Sequence, residues 1–307
     1  MITTALAHFS APDLLHNDAI LKYLIPTVVT LTVFMLGLLA NWLKGNSERR
    51  RETRHLKAVF MAWIPHLKRP VELLAGACDD LSARLTTAND IGAQGFKFNH
   101  IFAEKLSSVE LRLMIKTFIT NASGDDKLKN KYLYQMVSTL EFLDKKESEI
   151  TAKYEEHYSS AGDLLHEWNE KFIKFSELNL ALHQQAASRG EAWLKLDRDA
   201  EAIRRDWGAA MKEHPGDTKV SYTRIVEPII LLLKNFIHAN GSDDPVIGGL
   251  TSAAEELKIT FRQWEASHSG YSAMFSGYAV QLNEAYVLLS VARDFFNNHC
   301  RIRLFCQ

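Results

Sequence analysis

For fifty residues, from Leu133 to Leu182, apolar side chains return at alternating steps of three and four. Leu133, Met136, Leu140, Leu143, Ile150, Tyr154, Ala161, Leu164, Trp168, Phe175, Leu178 and Leu182 hold the register, and only Glu147, His157 and Lys171 depart from it. A mean step of 3.5 residues keeps one stripe of a helix facing one way, so the segment reads as a long helix with a buried seam. The last fifty residues repeat the pattern from Leu250 through Leu257, Phe261, Trp264, Phe275, Leu282 and Leu289 to Phe296, with His268 and His299 as the departures. Large rings in that second seam suit a bundle core better than a tight two-stranded zipper. Proline breaks helix interiors, and none occurs between residues 71 and 214 or after Pro245. Ser159, Ser160 and Gly162 mark the place where the first long helix is open to a kink or a break.

The approaches to the two long segments look alike. Residues 115–126 read IKTFITNASGDD and residues 233–244 read LKNFIHANGSDD. Lys116, Phe118, Ile119, Asp125 and Asp126 match Lys234, Phe236, Ile237, Asp243 and Asp244, which suggests a duplicated unit of short helix, polar loop and long helix. Ser107-Ser108-Val109-Glu110 has the pattern of a capping box, Gly124 suits a left-handed helix end, and the paired aspartates suit helix starts. Residues 87–99, TANDIGAQGFKFN, read as an exposed loop.

From Tyr23 to Leu43 there is no charged residue. This 21-residue run would reach about 31 Å as a helix, the thickness of a bilayer core. Tyr23 and Trp42 stand at its ends, where amphipathic rings favour the headgroup level, and Pro26 falls in the first turn, where its missing N–H costs little. Thr27, Thr30 and Gly37 are the small or polar residues within it. No positive segment precedes the run, as a cleaved signal peptide would require. Lys44, Arg49, Arg50, Arg51, Arg54 and Lys57 follow it, so the positive-inside rule places the C-terminal side in the cytoplasm and the N-terminus outside.

The fold expected is therefore all-α, with one N-terminal transmembrane helix followed by a cytoplasmic bundle or coiled-coil rod of long helices. Its divisions are a short tail (1–19), the span (20–43), a basic juxtamembrane segment and loop (44–106), a first helical unit (107–188) and a second (189–307).

The net charge of −1 over 307 residues hides a cancellation. Residues 44–69 carry eight Lys or Arg and two Glu, and the chain beyond them is acidic by the same margin of six. A basic collar beside a span favours anionic lipid. With no basic patch interleaved with aromatics elsewhere, nucleic acid is not an expected partner. The three cysteines, Cys78, Cys300 and Cys306, form neither a disulfide framework nor a zinc pattern.

Catalytic templates find little purchase. There is no phosphate-binding glycine loop, no G-x-S-x-G and no H-E-x-x-H. Glu52-x-x-His55, Asp163-x-x-His166 and Glu265-x-x-His268 carry the Glu/Asp-x-x-His spacing of di-iron bundles, but Glu52 and His55 lie in the basic collar. His157 and His268 occupy seam positions, where histidine packs, binds metal or senses pH. Arg293 and His299 resemble the Arg-x(4–6)-His motif of HEPN-type ribonucleases, which implies a helical fold with Arg on phosphate and His in acid-base work. Arg262/His268 and Arg49/His55 share that spacing. No catalytic, cofactor or metal site is assigned, and no small-molecule substrate is evident. The leading expectation is a membrane-anchored scaffold, signalling or effector module that works through a protein partner or as a homo-oligomer. A pore-forming oligomer and a HEPN-like ribonuclease are the alternatives.

Overall fold

The computed structural model describes residues 18–87, 101–120, 122–241 and 244–299. Side chains are described from Val29 onward, except those of residues 87, 101 and 102. The loop expected at 87–99, Cys300 and Cys306 lie outside the described residues, apart from the backbone of Thr87. Among the described residues the structure is helical and contains no strand. Helix α1 spans Asp18–Trp63, and a 3-10 turn at Ile64–Leu67 leads into α2, Lys68–Thr87. Helix α3 is Ile101–Ser107, and α4, Leu111–Ile115, runs into a π-helical turn at Lys116–Thr120. The long helix α5 is Asp126–Arg189 and α6 is Glu191–Glu213. Helix α7, Thr218–Ser221, continues through a π turn at Tyr222–Val226 into α8, Glu227–Asn240, and α9 is Pro245–Asn298.

Both seams are interior. Of the fifteen register positions from Leu133 to Leu182 none is exposed, and of the fifteen from Leu250 to His299 only His299 is. Helix α5 passes Ser159, Ser160 and Gly162 without a break, because the stripe stays buried on both sides of them, at Tyr154, His157, Ala161 and Trp168. The capping box does not form. Glu110 is the N-cap of α4 and makes no side-chain cap bond, while the Ser107 and Ser108 hydroxyls donate to the Glu104 and Lys105 carbonyls. Residues 101–107 are a helix of their own, so the two serines serve its C-terminal carbonyls. The aspartates cap as expected: Asp125 accepts from the Lys127 N–H at 2.8 Å, and Asp244 from the Val246 N–H at 2.8 Å. The preceding turns use Gly124 at φ 112° and Gly241 at φ 88°, which only glycine adopts cheaply. The π turn at Tyr222–Val226 stands just before Pro228, whose missing N–H interrupts the ordinary ladder.

The chain divides into two compact units. Of the described residues, the first comprises 18–62, 109–120, 122–133 and 295–299. Its core sets Phe60 edge-on to Phe118 at 5.5 Å, with Phe296 4.8 Å from Phe118, and Tyr132 stacks on Phe295 at 4.3 Å. Lys129 is buried there, with 1% of its surface exposed. Its ammonium donates to the Ile119 and Ala122 carbonyls at 2.9 Å each and pairs with Asp126 at 2.6 Å. That one cation closes the carbonyls of the π turn and its loop onto the first turn of α5.

Of the described residues, the second unit comprises 63–87, 101–108, 134–241 and 244–294. Here α5 and α9 run antiparallel. Gln135 donates to the Leu288 carbonyl at 2.9 Å, and the Lys146 ammonium lies 4.2 Å from the Tyr278 ring centroid. Further along, the rings of His157 and His268 are 5.0 Å apart, and Lys171 donates to Thr260 at 2.9 Å. Helix α2 joins through the Ser82–Ser272 hydroxyls, 3.0 Å apart. Beyond Trp168, helices α6 and α8 complete a four-helix core around Phe175, Leu196, Ile229, Leu250 and Phe261. Each uncharged contact there contributes through area removed from water, at about 25 cal/mol per Å².

Replacing Lys129 with Met keeps the stem and removes the donor. The expected loss is about 2 kcal/mol, read as a lower denaturant midpoint at unchanged slope, since two buried carbonyls lose their partner.

Candidate functional site

Two polar clusters lie inside the second unit. The first is the histidine layer. His157 on α5 is 0% exposed and His268 on α9 is 3% exposed. Tyr271 covers the His157 ring at 4.3 Å and Trp264 covers the His268 ring at 4.0 Å. A carbonyl can only accept, so His268 Nδ1–H donates to the Trp264 carbonyl at 3.0 Å. His268 Nε2 and both ring nitrogens of His157 are buried without a hydrogen-bond partner. Burial, with the neighbouring His268 adding to it, pushes the His157 pKa down to about 4. Burial also lowers that of His268, opposed by the bond to Trp264. Both rings are therefore neutral at pH 7. A cavity of about 600 Å³ reaches His268, lined also by Thr86, Asp217, Lys219, Phe261 and Trp264.

The second cluster fastens α5 to α6. Asp197 accepts from His183 Nδ1–H at 2.8 Å and from Arg204 at 2.9 Å, and Arg204 also donates to Asn179 at 2.8 Å. Burial alone would raise the Asp197 pKa, but the bonds from Arg204 and His183 outweigh it and hold the group below the usual carboxylate range. A cavity of about 360 Å³ borders this network. The sequence reading missed these residues. The available signal was an opposite-charge pair, Asp197 and Arg204, seven residues apart inside the apolar stripe of Leu196, Ala200, Ile203 and Trp207.

The residues singled out near the N-terminus stand on α1. Tyr23, Pro26 and Thr27 lie within its backbone range, with side chains outside the described residues. Thr30 and Trp42 are exposed, and Gly37 faces open space. Among the described residues no helix is long and apolar enough to cross a membrane. The described side chains of the run extend only from Val29 to Leu43, about 22 Å of helix before Lys44. Lys44, Arg49, Arg51 and Arg54 are exposed, and Arg50 and Lys57 are half-buried. Arg54 donates to the Arg50 carbonyl at 3.3 Å. Ser47, Glu48, Arg49, Arg51 and His55 line an open groove along this stretch.

Other motif residues have structural partners. Arg262 pairs with Glu265 at 2.8 Å, and His166 lies 3.5 Å from Glu170. Arg293 donates to Asp294, and exposed His299 stacks on Phe295. Cys78 is buried, and burial, reinforced by Asp79 and opposed by Lys146, pushes its thiol up to about 12, so it is a poor nucleophile. No cluster of three or more metal-ligating side chains occurs among the described residues. Comparison with known protein families, curated proteins and solved structures found no match to this chain.

Two outcomes follow for stability. A histidine whose folded pKa lies below its unfolded value takes up a proton on unfolding. Stability from neutral His157 is thus complete above about pH 6.5 and is lost as pH falls toward 4, about 3 kcal/mol in all. His157→Phe should flatten that part of the acid-unfolding curve. Asp197→Ala leaves Arg204 half-buried without its carboxylate and should cost about 3 kcal/mol, seen as a fall in Tm at neutral pH.

Proposed function

We propose that this chain is a single-pass membrane-anchored protein, N-terminus outside, whose cytoplasmic helical body acts as a scaffold, signalling or effector module through protein contacts. One observation carries the reading: every side chain from Val29 to Leu43 is exposed, on all sides of one continuous helix. Leu31, Val33, Phe34, Met35, Leu36 and Trp42 each show 59–64% of their surface. Water does not tolerate so large an apolar surface, and a bilayer does. The arginines that follow suit anionic headgroups on the cytoplasmic side.

Protein contacts find support in an apolar stripe on α9. Val280, Val287, Leu288 and Val291 are 46–59% exposed and recur at helical spacing on the surface of the second unit. The two stretches of short helix, polar loop and aspartate-capped long helix support reading the body as a duplicated unit.

The test is biochemical. Full-length protein should remain in the membrane pellet after alkaline extraction, and a chain lacking residues 1–43 should be released. A reporter enzyme fused after Gln307 should be active only in the cytoplasm. Recovery of the intact chain in the soluble fraction, or reporter activity outside, would refute the reading.

A further inference from the structure

The histidine layer has a feature that packing alone does not account for. Three ring nitrogens in one layer, two on His157 and one on His268, are buried without partners. An unsatisfied buried polar atom costs about 1–3 kcal/mol, and two phenylalanines would fill the same space without that cost. The second feature is orientation. Metal-ligating histidines regularly donate one ring N–H to a backbone carbonyl, which fixes the tautomer and bares the other nitrogen. His268 does this through Nδ1 to Trp264, leaving Nε2 as a lone-pair donor. The third is proximity. The two ring centroids lie 5.0 Å apart with the ring planes at 79°, and an ion lying in both planes, bonded roughly 2 Å from one nitrogen of each ring and so about 3.2 Å from each centroid, would see the two rings at about 100°, close to tetrahedral.

We propose that His157 and His268 together bind one divalent late first-row transition-metal ion, of which zinc is the probe, with water in the remaining positions. Imidazole nitrogens select zinc, copper or nickel over the oxygen-seeking magnesium and calcium. Burial keeps both rings in the neutral form, which is the form that ligates. The cavity of about 600 Å³ that His268 helps to line lies beside the layer. With two protein donors, the site is weaker than a four-ligand structural zinc site, and it ties α5 to α9 at mid-length.

Full-length protein in detergent, stripped with chelator and then freed of it, is titrated with zinc near neutral pH. One equivalent should bind with Kd below about 10 µM and raise the Tm, while magnesium does neither. His157→Phe and His268→Phe should each weaken binding at least about tenfold. His166→Phe, at an exposed position beside Glu170, should leave it unchanged. Zinc binding that is absent, or that survives both seam substitutions, overturns the proposal. Should those variants fail to fold, zinc-edge X-ray absorption on the wild-type protein decides it. Two imidazoles around the ion support the site, and one or none overturns it.

Discussion

The antiparallel contact between α5 and α9 is the constraint on which the rest of the second unit depends. Each helix has a heptad seam it cannot leave in water, and the two seams satisfy one another from Gln135–Leu288 to Lys171–Thr260. Once that register is set, α2, α6 and α8 have only to cover what remains of the stripes. Side-chain size sets the local detail. Where Trp168, Phe172, Phe261 and Trp264 widen the seam, α6 and α8 enter and the layer becomes four helices.

Within this apolar frame, polar groups are treated in two ways. Lys129 and Asp197 are buried with their hydrogen bonds complete, so each trades hydration for fixed partners and locks a connection between elements. The histidine layer lacks that compensation. Its rings pack well against Tyr271 and Trp264, yet of its four ring nitrogens only the Nδ1–H of His268 has a partner.

Helix α1 poses the opposite problem. The body buries its apolar stripes, whereas residues 29–43 bury nothing and have apolar groups on every side. An amphipathic helix directs its apolar face to a core, whereas this stretch presents apolar side chains on every side, which is what supports the membrane anchoring proposed above. The basic residues that follow are exposed or half-buried rather than gathered into a closed site, which suits contact with a diffuse charged surface.

Much of the fold was legible in the chain because helical periodicity is a local property. The seams, the uninterrupted long helices, the glycine turns and the capping aspartates follow from spacing and propensity within a few residues. Local pattern was less reliable at Ser107 and Ser108. The same residues that could start one helix instead end another, and only the structure of residues 101–107 decides between them. The sequence also marked His157 and His268 as departures from their seams. It could not show that they meet, because they are 111 residues apart and their pairing depends on the register between α5 and α9. Nor could it show that Lys129 and Asp197 are buried, since long-range packing decides which charged groups lose their water. Sequence alone determined which stripes must be covered. Tertiary structure decided what covers them, and so which polar groups are satisfied and which are left bare.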